Sequence, residues 1–100
     1  MTNVINEMQI EFHDKANTRF ISVYSGFERA VSNVSRRNEE FWFQQLKKQY
    51  ATILEQDLQM IAKDILVKYR HDKQVNEMDQ LFHHFIKDYL HRFVQKVNDL

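Results

Sequence analysis

Apolar residues recur at steps of three and four along almost the whole chain, in three successive runs. In the first run Ile5, Met8, Phe12, Ala16, Phe20, Val23, Phe27, Ala30 and Val34 share an arc of roughly 120° at 100° per residue. One face of a long helix accounts for all of them, and Thr2 or Asn3 supplies its cap. A shorter pattern competes. Met8, Ile10 and Phe12 alternate, and residues 19–25 (RFISVYS) are β-branched and aromatic, which would suit a hairpin closing at Gly26. The helical pattern explains more positions over a longer span and is preferred. Gly26, beside Ser25, is then a kink point.

Residues 32–38 (SNVSRRN) break the pattern with capping side chains, and Asn38 followed by Glu39 and Glu40 places acids on the positive end of a new helix dipole. The second run holds Phe43, Leu46, Tyr50, Ile53, Leu54, Leu58, Ile61, Ile65 and Tyr69, and closes on Lys68, Arg70 and His71, cations suited to a helix C-terminus. Residues 71–74 (HDKQ) form the second break, after which Asn76 and Asp79 have the spacing of a capping box. The third run carries Met78, Leu81, Phe82, Phe85, Ile86, Tyr89, Leu90, Phe93, Val94 and Val97 over an arc of roughly 220°. An arc that wide needs cover on two sides, within the bundle or from a second chain.

Composition sharpens this picture. With no proline and one glycine, the chain lacks the residues that tight β-turns require, whereas long helices do without them. The expectation is an all-α fold: one domain over residues 1–100, an antiparallel bundle of three long helices near 3–34, 38–71 and 75–98. Helices of that length span roughly 35–50 Å, longer than a compact bundle of this size favours. Elongation and the wide third arc together point to a homodimer, since a monomer would leave a large apolar patch wet.

Charge excludes more than it indicates. Fourteen basic residues balance fourteen acidic ones, seven against six in the first half and seven against eight in the second, so no broad positive field invites nucleic acid. There is no cysteine, hence no disulfide framework, thiolate metal site or thiol nucleophile. The start of the chain (MTNVINEMQIEF) lacks the basic and apolar regions of a signal peptide, and no stretch approaches the ~18 apolar residues of a membrane span, which makes a cytoplasmic location the default.

Several constellations carry candidate chemistry. His84, Asp88 and His91 stand at i, i+4 and i+7, a spacing that can hold a divalent ion, but they lie opposite the apolar arc, where a polar stripe is ordinary solvated surface, and no metal or cofactor is expected. His84-Phe85-Ile86-Lys87 resembles the His-x-x-Lys of histidine phosphotransfer domains. Those domains follow the lysine with glycine; here Asp88 stands in that place, and its carboxylate would repel a phosphoryl group. Arg36 and Arg37, with Lys47 and Lys48, bracket an aromatic group and form a candidate nucleic-acid patch, with Glu39 and Glu40 between them cancelling much of its field. Ser22, Ser25, Ser32 and Ser35 have only His13 near them in sequence, and one glycine cannot build a nucleophile elbow or phosphate loop.

What remains is a binding surface. Phe41-Trp42-Phe43 point in three directions from the start of the second helix, so at least one leaves the core face. Trp42 is expected inside, beside Leu46, and Phe41 to be the most exposed of the three. Phe41 and Trp42, with Phe85, Tyr89 and Phe93 on the wide arc of the third helix, are the candidate protein-binding residues. The expected function is a non-enzymatic interaction module, a small regulator, adaptor or chaperone whose first partner is itself, with a nucleic-acid-associated regulator as the alternative and phosphotransfer or metal binding behind it.

Overall fold

A computed structural model describes residues 4–32 and 39–99. It contains three α-helices: α1 (Val4–Ser32), α2 (Glu39–Lys68) and α3 (Val75–Asn98). Residues 8–25 are helical throughout, so the hairpin alternative falls: an alternation a few residues long cannot compete with a face that repeats over eight turns. The expected caps at Thr2, Asn3 and Asn38 lie outside the described residues.

The contacts fix an up-down-up order. Glu11 meets Lys68 while Arg19 meets Asp57 and Phe27 meets Phe43, so α1 and α2 run antiparallel. Phe12 stacks on Phe82 and Phe20 meets Phe93, so α1 and α3 run parallel. The molecule is a rod of 57 × 19 × 18 Å with a Cα radius of gyration of 16.1 Å, against about 13 Å for a compact chain of this length.

Its core is one continuous column. Met8, Phe12, Ala16, Val23 and Phe27 enter from α1, Leu54, Leu58, Ala62 and Ile65 from α2, and Met78, Phe82, Ile86, Tyr89, Phe93 and Val97 from α3. The α3 stripe is the one the spacing predicts, and so is that of α1 from Ile5 to Ala30; Val34 lies outside the described residues. The α2 stripe differs at three positions: Ile53 points outward beside a fully buried Leu54, Ala62 enters the core though the spacing does not mark it, and Tyr69 falls past the end of the helix at Lys68. Adjacent residues stand 100° apart, and one packing direction takes only one of them. All ten apolar residues of the α3 arc are buried or half-buried within the single chain, because bulky rings from α1 fill the space beside it. The width of that arc is therefore no reason for a second copy.

Gly26 lies inside α1, and its role is spatial. A Cβ built there would stand 3.2 Å from Cε1 of Tyr50, so the absent side chain lets α2 come close. The connection from α2 to α3 is a chain of tight turns closed by backbone bonds at Arg70, Asp72 and Val75. Asp72 Oδ1 accepts from the Gln74 N–H at 2.8 Å, an Asx-type turn that launches α3. This corrects the expected capping box: α3 begins at Val75, so Asn76 is already helical, and the flanking residue is Gln74, which makes no side-chain cap.

Candidate functional site

On α2 the core stripe is matched by a second apolar line on the opposite face. Trp42, Ile53, Met60 and Val67 are 49%, 37%, 65% and 56% exposed. Counted at 100° per residue, all four fall within about 40° of one another, and the last three repeat every seven residues. Between them stand Gln45, Gln49, Thr52 and Gln56, all exposed. From residue 42 to residue 60 this outward strip, about 100° wide, carries no charge at all. Phe41, 58% exposed, sits at its edge with its ring 5.5 Å from that of Trp42.

The flanks are polar and pinned. Towards α1, Glu11 accepts hydrogen bonds from Lys15 and Lys68 at 3.2 Å each, and Arg19 pairs with Asp57 at 3.5 Å. Burial pushes the Glu11 carboxyl up, but the hydrogen bonds and charges of Lys68 and Lys15 outweigh it, and the net shift is downward. Between these pairs a shallow groove runs over Thr18, Ser22 and Ile61. Towards α3 a second groove passes Lys63, Leu66, Asp79 and His83.

A different polar cluster bridges α1 and α3. The Tyr89 hydroxyl donates to Asn17 Oδ1 at 3.1 Å and lies 2.9 Å from His13 Nδ1. With the Tyr89 proton committed to Asn17, His13 Nδ1–H is the donor in the second bond. Burial raises the Tyr89 phenol above its ordinary value, and the charge of Arg92 draws it only partly back. These partners lie 72 and 76 residues apart in sequence, beyond the reach of any local pattern. The cluster satisfies the one hydroxyl in an otherwise apolar layer. It has the partners of a structural tie between α1 and α3.

The sequence-derived candidates separate in space. Phe41 is the most exposed of its aromatic trio, as expected, but Trp42 is half-exposed rather than core: Phe43, one position on, takes the inward place and packs edge-on against Phe27. Phe93 and Tyr89 lie inside the bundle and Phe85 is half-buried against Phe12 and His13, so these three pack α3 to α1 rather than forming an outer docking face. Arg36 and Arg37 lie outside the described residues. Lys47 is tied to Asn98 Oδ1 at 2.9 Å, at the far end of α3, while Lys48 is exposed near Trp42. His84, Asp88 and His91 are exposed, and among the described residues no three metal-ligating side chains converge. Met60 and Val67 were not legible as site residues. The signal that finds them is the seven-residue spacing from Ile53, hidden because Ile53 also fits the core stripe.

Among the described residues no helix is long and apolar enough to cross a membrane. Comparison with protein-family models, with curated proteins and with solved structures finds no match to this chain.

Proposed function

We propose that the protein is a non-enzymatic helical interaction module, a small regulator, adaptor or chaperone, and that its working surface is the outer face of α2. One observation carries the reading. The core is complete without Trp42, Ile53, Met60 and Val67, yet these large apolar side chains are held in line on the surface. Exposed apolar residues scattered singly are ordinary, whereas an ordered line of them marks a contact. Its straightness describes the partner: residues that repeat at heptad spacing meet another helix lying alongside. An amphipathic helix laid on such a line is a known mode of recognition, with the aromatic end as its anchor.

A nucleic-acid partner fits this surface less well, since the strip is uncharged from residue 42 to residue 60, Lys47 is engaged with Asn98, and Lys48 beside Trp42 and Lys63 further along stand too far apart to form a basic patch. The reading is tested with paired baits in native lysate, the natural chain and an Ile53→Glu/Met60→Glu variant. Both positions are exposed, so the variant keeps its helical circular dichroism. Proteins captured by the natural chain and lost from the variant support the module. Identical captures from the two baits would remove α2 as the working surface.

A further inference from the structure

We propose that Met60 is an oxidation site of the folded chain, and that its conversion to the sulfoxide by a peroxide switches off the apolar line of α2. The site stands on the burial of the methionines, whereas the switch rests on the interaction reading above. Among the described residues Met60 is the only exposed methionine, at 65%, while Met8 and Met78 are fully buried in the core. The three thioethers share one intrinsic reactivity, so access from solvent separates them. The chain has no cysteine, and no thiolate competes for the oxidant.

The step is a two-electron oxygen transfer. A lone pair of the Met60 sulfur attacks one oxygen of hydrogen peroxide, the O–O bond breaks, and hydroxide leaves. The sulfur-bound hydroxyl gives up its proton, the hydroxide takes one up, and the products are the sulfoxide and water. Sulfur is oxidised by two electrons and the peroxide is reduced by two. The change is reversible, since methionine sulfoxide reductases restore the thioether.

Position turns this chemistry into a switch. Met60 stands seven residues from Ile53 on one side and seven from Val67 on the other, at the middle of the heptad-spaced line. Its thioether is apolar and flexible, suited to filling an irregular contact. The sulfoxide is polar and chiral, and its oxygen keeps water unless a partner brings a donor. Oxidation therefore parts Ile53 from Val67 by about 21 Å of helix with no apolar side chain between them in line. Met60 is no part of the core, so the bundle survives the change.

The site is tested by treating the folded chain with millimolar hydrogen peroxide, then digesting and weighing it. Met60 should gain an oxygen at least about tenfold faster than Met8 and Met78, with helical circular dichroism unchanged. Equal rates at the three would overturn the site. The switch is tested with native-lysate captures by the untreated chain, the oxidised chain, and the oxidised chain after reductase treatment. Captures lost on oxidation and regained on reduction support it. Met60→Gln, polar there from the outset, should lack the same captures and should not respond to peroxide. Captures that persist once Met60 is fully oxidised, or a peroxide response that remains in Met60→Gln, would overturn the switch. An untreated chain that captures nothing removes the interaction reading and the switch with it, while the mass spectrum alone decides the site.

Discussion

Tyr50 rests its ring edge where a side chain on Gly26 would be, 3.2 Å from the Cβ that glycine lacks. Two effects therefore oppose each other at this position. Glycine inside a helix costs roughly 0.5–1 kcal/mol relative to alanine, while an added methyl must push the ring aside by a few tenths of an ångström. Tyr50 is half-buried and edge-on to Phe27, so it can yield, at some loss of that contact. Gly26→Ala should leave stability almost unchanged. In a Tyr50→Leu background the same substitution should stabilise by about 0.5–1 kcal/mol, because only the helix gain remains. Urea denaturation of the four proteins gives the coupling; strict additivity would show that the ring does not press on residue 26.

Glu11 predicts an acid-side dependence. Its carboxyl titrates below the ordinary range because Lys68 and Lys15 offset the effect of burial. Above the ordinary carboxylate range the group is ionised in both states and its contribution is fully present. As the pH falls the unfolded chain takes up the proton first, and stability drops until the lowered native value is passed. The melting temperature of the natural chain should exceed that of Glu11→Gln at neutral pH, and the gap should close in strong acid. A gap that persists there would mean that the side chain acts by packing alone.

The three helices were legible because each feature that defines them is local. Absent prolines, paired breaks and stripes such as Met8, Phe12 and Ala16 all act within a few turns. What escaped is set by choices between neighbours or across the bundle. Either Ile53 or Leu54 satisfies a helical stripe, and only the position of α1 and α3 decides that Leu54 enters. Trp42 and Phe43 pose the same choice one turn from the helix start, where Phe27 selects Phe43. The wide α3 arc had two solutions in sequence, and the rings of Phe12 and Phe20 supply the one that is realised. Asp72 outcompetes Asn76 at the start of α3 because its carboxylate reaches an N–H two residues on, before the helix begins.

Tyr89 predicts the alkaline limb. Its phenol is protonated in both states below about pH 10. Because burial raises the native value, the unfolded chain loses the proton first as the pH climbs past that point, and the folded state loses stability until the native phenol also ionises. Tyr89→Phe should cost about 1 kcal/mol near neutrality, since Asn17 and His13 lose their shared partner but remain in reach of water. Above pH 10 the variant should decline less steeply than the natural chain. Ultraviolet titration of the tyrosines should also lose one late-ionising step, while that of Tyr24, raised by burial and by the carboxylates of Glu28 and Asp99, remains. Superimposable alkaline limbs would show that the Tyr89 phenol does not set this limb.

Trp42 and Phe27 should respond to truncation in opposite ways, and the contrast separates surface from core within one aromatic neighbourhood. Phe27 is fully buried and meets Phe43, Tyr50 and Phe93 edge-on, so Phe27→Ala leaves a cavity between all three helices and should cost about 3–5 kcal/mol. Trp42 leaves half its surface in water and contacts Phe41, which is itself exposed. Trp42→Ala should therefore cost less than about 1 kcal/mol, the range of surface substitutions away from caps and networks. As the only tryptophan it also reports on itself. In dilute protein its emission should be red-shifted and quenched by iodide. Blue-shifted, unquenched emission at every concentration, together with a multi-kilocalorie cost for Trp42→Ala, would return this residue to the core and take the anchor away from the proposed surface.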